Sequence, residues 1–169
     1  MQQCVLYIEI FQFLAQMGYC PQNDALIKSL NSYDHLRLFA RLRGVPENMV
    51  ENEVDCWINS LSKYDSYISH EYYLKIELYF KVVSNKKYFF KDLTACAKQP
   101  SGTYSGGNKR RLNMAISLIG NPNLILMDEP TTGVDPGARR SLWKVIKSCQ
   151  AAGQSVILTS HRYISNFVC

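Results

Sequence analysis

The clearest hydrophobic pattern lies in the last third of the chain. Leu124-Ile125-Leu126-Met127 is an unbroken apolar run just after Asn121-Pro122-Asn123. A run of this kind, closed off by turn-forming residues, predicts a strand buried on both faces of a parallel sheet. Asp135-Pro136 then opens a helix, with Asp suited to the N-cap and Pro to the first turn. Leu142, Val145, Ile146 and Cys149 recur at helical spacing, and Gly153 stands where a C-terminal cap belongs. Ser155-Val156-Ile157-Leu158-Thr159 predicts the next strand. Strand, helix and strand with short connections form a βαβ unit, whose crossover is expected to be right-handed.

Upstream, Ser105-Gly106-Gly107-Asn108 precedes a second helix with apolar positions Leu112, Ala115, Ile116 and Ile119. Residues 33–43 predict an amphipathic helix through Leu36, Phe39, Ala40 and Leu42, stopped by Gly44 and Pro46. Phe13 to Tyr19 predicts a short strand ending at Pro21. Residues 63–92 differ from everything around them. They hold six of the eleven tyrosines, six lysines and three phenylalanines, with no Gly or Pro and neither period. Tyr, Lys, Phe, Ile and Asn are the residues that A/T-rich codons encode, so translated noncoding sequence is one reading of this insert.

Composition narrows the class. At 169 residues the chain is long enough for one domain with a core, and 47% hydrophobic with 20% charged residues excludes wholesale disorder. The net charge of +5 comes without any run of five like charges, so it reads as a solvated surface and no nucleic-acid partner is expected. Six cysteines at 4, 20, 56, 96, 149 and 169 contain no CxxC pair, which predicts reduced thiols in a cytosolic setting. No stretch reaches the roughly 20 apolar residues of a membrane span. The apolar opening from Val5 to Ala15 carries Glu9 and lacks a preceding basic residue, a poor match to a signal peptide.

Three groups of residues carry candidate chemistry. Asp128-Glu129 follows the apolar strand, at the end where open α/β sheets place ligand chemistry. Helix capping or a surface charge pair is the alternative, but two carboxylates after so apolar a run favour metal and water work. Ser105-Gly106-Gly107 opens a helix, and free N–H groups with the helix dipole favour an anion there; a simple N-cap is the equal alternative. His161 ends the second strand of the βαβ unit and draws its weight from that placement alone.

Taken in order, these residues resemble the nucleotide-binding domain of ATP-binding cassette (ABC) transporters. Tyr19-Cys20-Pro21-Gln22 is similar to the Q-loop and Ser105 to Leu112 to the signature motif. Leu124 to Pro130 is similar to Walker B, Gly133-Val134-Asp135 to the D-loop and Ser160-His161 to the H-switch. Tyr104 and Asn108 around Ser-Gly-Gly, the Lys109-Arg110-Arg111 that follows, and Gly18 to Leu26 are similar to subfamily A, whose full-length members are mostly lipid exporters or flippases. The resemblance covers residues 17 to about 62 and 93 to 161. It implies an α/β P-loop NTPase (RecA-like) fold, a parallel sheet core with an inserted helical subdomain. The helical signature subdomain would comprise 24–62 and 93–120, the atypical insert 63–92, and the RecA-like core 121–161.

The resemblance also implies roles, with ATP and Mg²⁺ as cofactors. Asp128 and Gln22 would hold Mg²⁺, Glu129 would act as general base or water-orienting carboxylate, and His161 would contact the γ-phosphate. Ser105, Gly106 and Gly107 would bind a nucleotide held by a second nucleotide-binding domain, which Asp135 would contact. Transmembrane domains and, indirectly, a lipid would be the other partners, at the cytosolic face of a membrane.

One motif of that family is missing. GxxxxGK[ST] needs a Gly-Lys pair, and none of the nine glycines precedes a lysine. The adenine-stacking aromatic loop, expected upstream, is absent as well, and Arg162 to Cys169 do not continue as the family's acidic helix. The expectation is one incomplete domain over 1–169, truncated at both ends and inactive alone. The missing P-loop strand would also leave the Walker B strand with an open edge. A non-catalytic fragment or interaction module, supplying only its signature to a partner, is the alternative.

Overall fold

The computed structural model describes residues 13–59 and 93–160. Phe13–Ala15 forms a helical turn, and the first strand, β1, is confined to Met17–Cys20. The expected strand from Phe13 to Tyr19 is thus halved. Leu14 and Phe13 stay exposed and earn no sheet partner, while Leu124 N–H donates to Gln16 O (3.2 Å) where pairing begins.

Strands β1, β2 (Leu124–Asp128) and β3 (Ser155–Thr159) form a parallel sheet in the order β1-β2-β3. Gly18 lies opposite Ile125 and Ile125 opposite Val156; Cys20, Met127 and Leu158 align in the same way. This corrects the expected open edge of the Walker B-like strand: β2 is central and hydrogen-bonded on both sides. The expected burial on both faces is also corrected. Ile125 and Met127 are buried while Leu124, Leu126 and Asp128 are only partly so, because the packed helices cover one face. On the other face, Tyr19 and Ile157 are exposed among the described residues.

The helices follow from spacing and caps. In α1 (Ser32–Leu42), Asn31 accepts the Asp34 N–H at 2.9 Å, and Leu36 and Ala40 are buried; Leu42 faces solvent, outside the apolar stripe assigned to it. A second helix, α2 (Glu47–Asn59), begins directly after Pro46. Val50, Val54, Cys56, Trp57 and Ile58 are buried, a helical repeat lying within the region read only as helical. Helix α3 (Gly106–Leu118) is buried at Arg110 and from Leu112 to Leu118, more than a one-faced amphipathic helix would be. It is wedged between the sheet and α1. Helix α4 (Pro136–Ala151) buries Leu142, Val145, Ile146 and Cys149 as expected, and Gly153 closes it at φ 86°.

One hydrophobic cluster joins sheet and helices, from Cys20, Ile125 and Met127 through Leu112 and Leu118 to Leu36 and Trp57. Arg43, just past α1, closes the far end of α3 by donating to Ser117 O (3.0 Å) and Ile119 O (2.6 Å). Burial pushes this guanidinium down to about 10. Among the described residues, Cys20, Cys56, Cys96 and Cys149 form no disulfide. The insert 63–92, His161 and residues 162–169 lie outside the described residues, as does the opening segment 1–12.

His35 links α1 to the loop that leads in from β1. Its Nδ1 donates to Asn31 O (2.8 Å) and its Nε2 accepts the Ile27 N–H (3.0 Å), so the ring is neutral in this geometry. Burial is the main cause holding it below the ordinary imidazole value, against the opposing pulls of the Asn31 carbonyl and Asp34. The unfolded chain therefore takes up this proton first, and the stability contributed is present above pH ~6.5 and lost as pH falls below it. Urea unfolding at pH 7.5 and 5.5 is expected to show the wild type weakening more than His35→Gln. The difference is capped near ~1.4 kcal/mol per pH unit. Equal pH dependence in both proteins would refute the assignment.

Candidate functional site

The carboxylates stand where the sheet ends. Asp128 is the last residue of β2, and its Oδ1 accepts a hydrogen bond from Thr159 Oγ1 on the adjacent strand. Glu129 leaves the strand with φ 46°, a left-handed conformation that a Glu adopts only under constraint. That constraint is visible. The Glu129 N–H donates to Thr159 O and is within 3.2 Å of Thr159 Oγ1, and its carbonyl accepts the Thr132 N–H at 3.1 Å. The side chain is buried, with Oε2 accepting from Thr132 Oγ1 (3.1 Å). Asp128 and Glu129 therefore point to different environments, one partly open and one enclosed.

Gln22 sits just beyond β1, at the same end of the sheet, with its side chain exposed. Its main chain is joined to the carboxylate turn through Arg110 of α3. Arg110 donates to Gln22 O (3.2 Å), Asp128 O (2.6 Å) and Glu129 O (2.6 Å), and also to Pro21 O. Its Nε reaches Pro130 O at 3.5 Å. Sequence reasoning missed Arg110, Thr132 and Thr159. Arg110 was lost among the basic residues Lys109-Arg110-Arg111, of which it is the most deeply buried. Thr159 was legible only through register, since it pairs with Asp128.

The start of α3 is built differently. Ser105 is the N-cap and accepts the Asn108 N–H at 3.3 Å, while the amides of Gly106 and Gly107 before it have no intrahelical acceptor. Ser105 and Gly106 are exposed, and a Cβ at Gly106 would meet nothing within 4 Å. Behind this opening, Tyr104 is buried with its hydroxyl 2.8 Å from Ser32 Oγ, and Ser101 Oγ donates to Ile27 O (3.0 Å). Asp135 is exposed ahead of α4, and Arg111 Nη2 lies 3.9 Å from its Oδ1. Thus Gln22, Asp128 and Glu129 are gathered at one sheet end, Ser105 to Gly107 form a separate opening, and Arg111 links that helix to Asp135.

These groups suit a hard cation and an anion. Asp128 carboxylate and Gln22 amide oxygens are donors that Mg²⁺ takes, with the remaining positions left to water and phosphate. The described residues contain no cluster of three or more His, Cys, Asp or Glu. The exposed helix start offers N–H groups to an anion brought by another molecule.

Comparison with known proteins bears on the family and the fold. The ABC transporter family model matches residues 2–132. ATP-binding cassette sub-family A member 2 of Rattus norvegicus is 42% identical over 153 residues, 90% of this chain. Retinal-specific phospholipid-transporting ATPase ABCA4 of Homo sapiens is 46% identical over 145 residues, 86% of this chain. The chain spans about 5% of the length of these curated relatives. A solved structure described as the ATP-binding subunit of an ABC transporter superposes with a TM-score of 0.67 at 21% identity, covering 95% of this chain and 54% of that one. That likeness bears on fold, an α/β parallel-sheet architecture of the P-loop NTPase kind. With a family model matched over most of its length and subfamily A relatives above 40% identity, the chain belongs to the ABC transporter family.

Proposed function

We propose that residues 17–161 form part of an ATP-hydrolysing domain that works within a longer transporter and couples hydrolysis to lipid movement across a membrane. The observation that carries this reading is the Asp128–Glu129 turn at the end of the central strand, joined through Arg110 to the Gln22 segment. Lipid as the cargo class rests on the phospholipid-transporting relatives. The division into a helical part (24–62 and 93–120), an insert (63–92) and a core (121–161) belongs to the same proposal, as does placement at the cytosolic membrane face. No helix among the described residues is long and apolar enough to cross a membrane.

In this reading Asp128 and Gln22 hold Mg²⁺, and Glu129 orients or deprotonates the attacking water. His161 would contact the terminal phosphate. Mg-ATP supplies the transferable phosphoryl group and the charge neutralisation that its transfer needs. Thr132 Oγ1 holds the Glu129 carboxylate, while the bond to Thr159 fixes its main chain. The cradle for the nucleotide's own phosphates is not among these 169 residues.

Grafting tests this. Residues 17–161 would replace the matching segment of human ABCA4, the phospholipid-transporting ATPase that is 46% identical over 145 residues. The graft is expected to turn over Mg-ATP, and Glu129→Gln to lower the rate by about 10²–10⁴. A folded, ATP-binding graft indifferent to Glu129→Gln would overturn the assignment.

The open space at Gly106 favours a second reading, in which this chain lends its signature to a partner domain. Association with a complete subfamily A domain is then expected only with ATP bound. Gly106→Arg would abolish it by filling the phosphate position without disturbing the fold, and Glu129→Gln would leave it intact. ATP-independent association in a pull-down would rule this reading out.

A further inference from the structure

Two features of α3 lie one turn apart and face opposite ways. Its N-terminus, after Ser105, opens outward, while one turn later Arg110 is driven inward and is 5% exposed. A buried guanidinium must have its donors occupied, and here the acceptors come from two segments far apart in sequence. Pro21 and Gln22 lie on one side, Asp128, Glu129 and Pro130 on the other. Charge-assisted bonds of this kind are roughly twice as strong as neutral ones, and the planar fork fixes direction as well as distance.

The geometry points to Arg110 as a positioning residue. Its guanidinium holds the Gln22 segment and the Asp128–Glu129 turn as one unit and ties both to the helix that begins at Ser105. Three features support this. Both segments contribute main-chain carbonyls, so the link survives whatever their side chains bind. The Glu129 carbonyl that Arg110 holds belongs to the residue with φ 46°, which needs external support to stay in that region. Thr159 secures the N–H side of the same residue from β3, so Glu129 is gripped from both directions. Any shift of α3, such as an anion arriving at its N-terminus would favour, is therefore delivered to the Gln22 and Glu129 backbones together. The functional consequence rests on the ATPase reading above; the positioning itself does not.

The first test uses the full 169-residue chain without nucleotide. Hydrogen exchange is followed in peptides 17–24 and 126–134, with α4 as the reference. Arg110→Met is expected to speed exchange in both peptides by roughly tenfold, the effect of losing bonds to a charged group, while α4 is unchanged. Arg110→Lys keeps the charge but loses the fork and is expected to fall between. Acceleration in only one segment, in neither, or equally in α4 would overturn the proposal. Should Arg110→Met fail to fold, the Lys variant decides by the same pattern. The second test measures turnover in the ABCA4 graft, where Arg110→Lys is expected to lower kcat by about tenfold with KM for ATP little changed, as misplacement of the reacting groups would. A kcat that stays put while KM rises would count against positioning. An inactive wild-type graft would sink the ATPase reading, and the exchange result would still decide Arg110.

Discussion

Purified alone, the 169-residue chain is expected to release phosphate from Mg-ATP no faster than buffer does. Phosphoryl transfer depends almost wholly on positioning and on stabilising charge around the transferred group. Asp128, Glu129 and Gln22 are gathered at one end of the sheet, which in the proposed function would provide for the metal and the water. Nothing in the chain provides the backbone loop and lysine that hold the β- and γ-phosphates in line with them. Losing that cradle removes several orders of magnitude of rate, because an unheld phosphate is rarely in attack geometry. A coupled phosphate-release assay at high protein concentration measures this. Steady turnover that vanishes in Glu129→Gln would show that the chain holds phosphates by a route not recognised here.

The largest effect on stability is expected at Gly18. A Cβ there would lie 1.9 Å from Ser117 O and 3.1 Å from Pro122 Cγ. The near atom is backbone of α3, which is itself pinned because Ser117 O accepts from Arg43 at 3.0 Å. No rotamer change relieves such a contact, so strand and helix must part or the residue must stay glycine. Gly18→Ala is expected to destabilise by more than about 3 kcal/mol, beyond usual overpacking costs, or to prevent folding. Gly106→Ala is the control, since a Cβ there meets nothing within 4 Å, and it is expected to be nearly neutral. Urea unfolding of the two variants beside the wild type decides it. Comparable midpoints for all three would mean that β1 and α3 are not held this closely in solution.

The two predictions draw on different kinds of information. The missing Gly-Lys pair can be read off the chain, because a phosphate cradle demands particular residues at fixed local spacing. The same holds for the parallel strands at Leu124 and Ser155, for α4 with its Asp135-Pro136 start and Gly153 end, and for the family motifs. In each case neighbours in sequence carry the signal. Gly18 announces nothing of the kind. Its importance comes from Ser117, ninety-nine positions later, passing within contact distance.

What the chain determined by itself was therefore the local: which stretches become strand or helix, and which residues belong to the recognised motifs. Tertiary structure decided the rest. It made the strand bearing Asp128 central, with β1 and β3 on either side, where sequence reasoning expected an open edge. It covered one face of that strand only, although an apolar run cannot reveal how many of its faces will be packed. It turned Arg110 inward to bind carbonyls of two remote segments, while its basic neighbours gave no hint of which would be buried. It set Thr159 beside Asp128 through strand register alone. The physical reason is common to these cases. A helix or strand is encoded by contacts a few residues apart, but an edge, a buried face or a carbonyl acceptor exists only once distant segments have closed on one another.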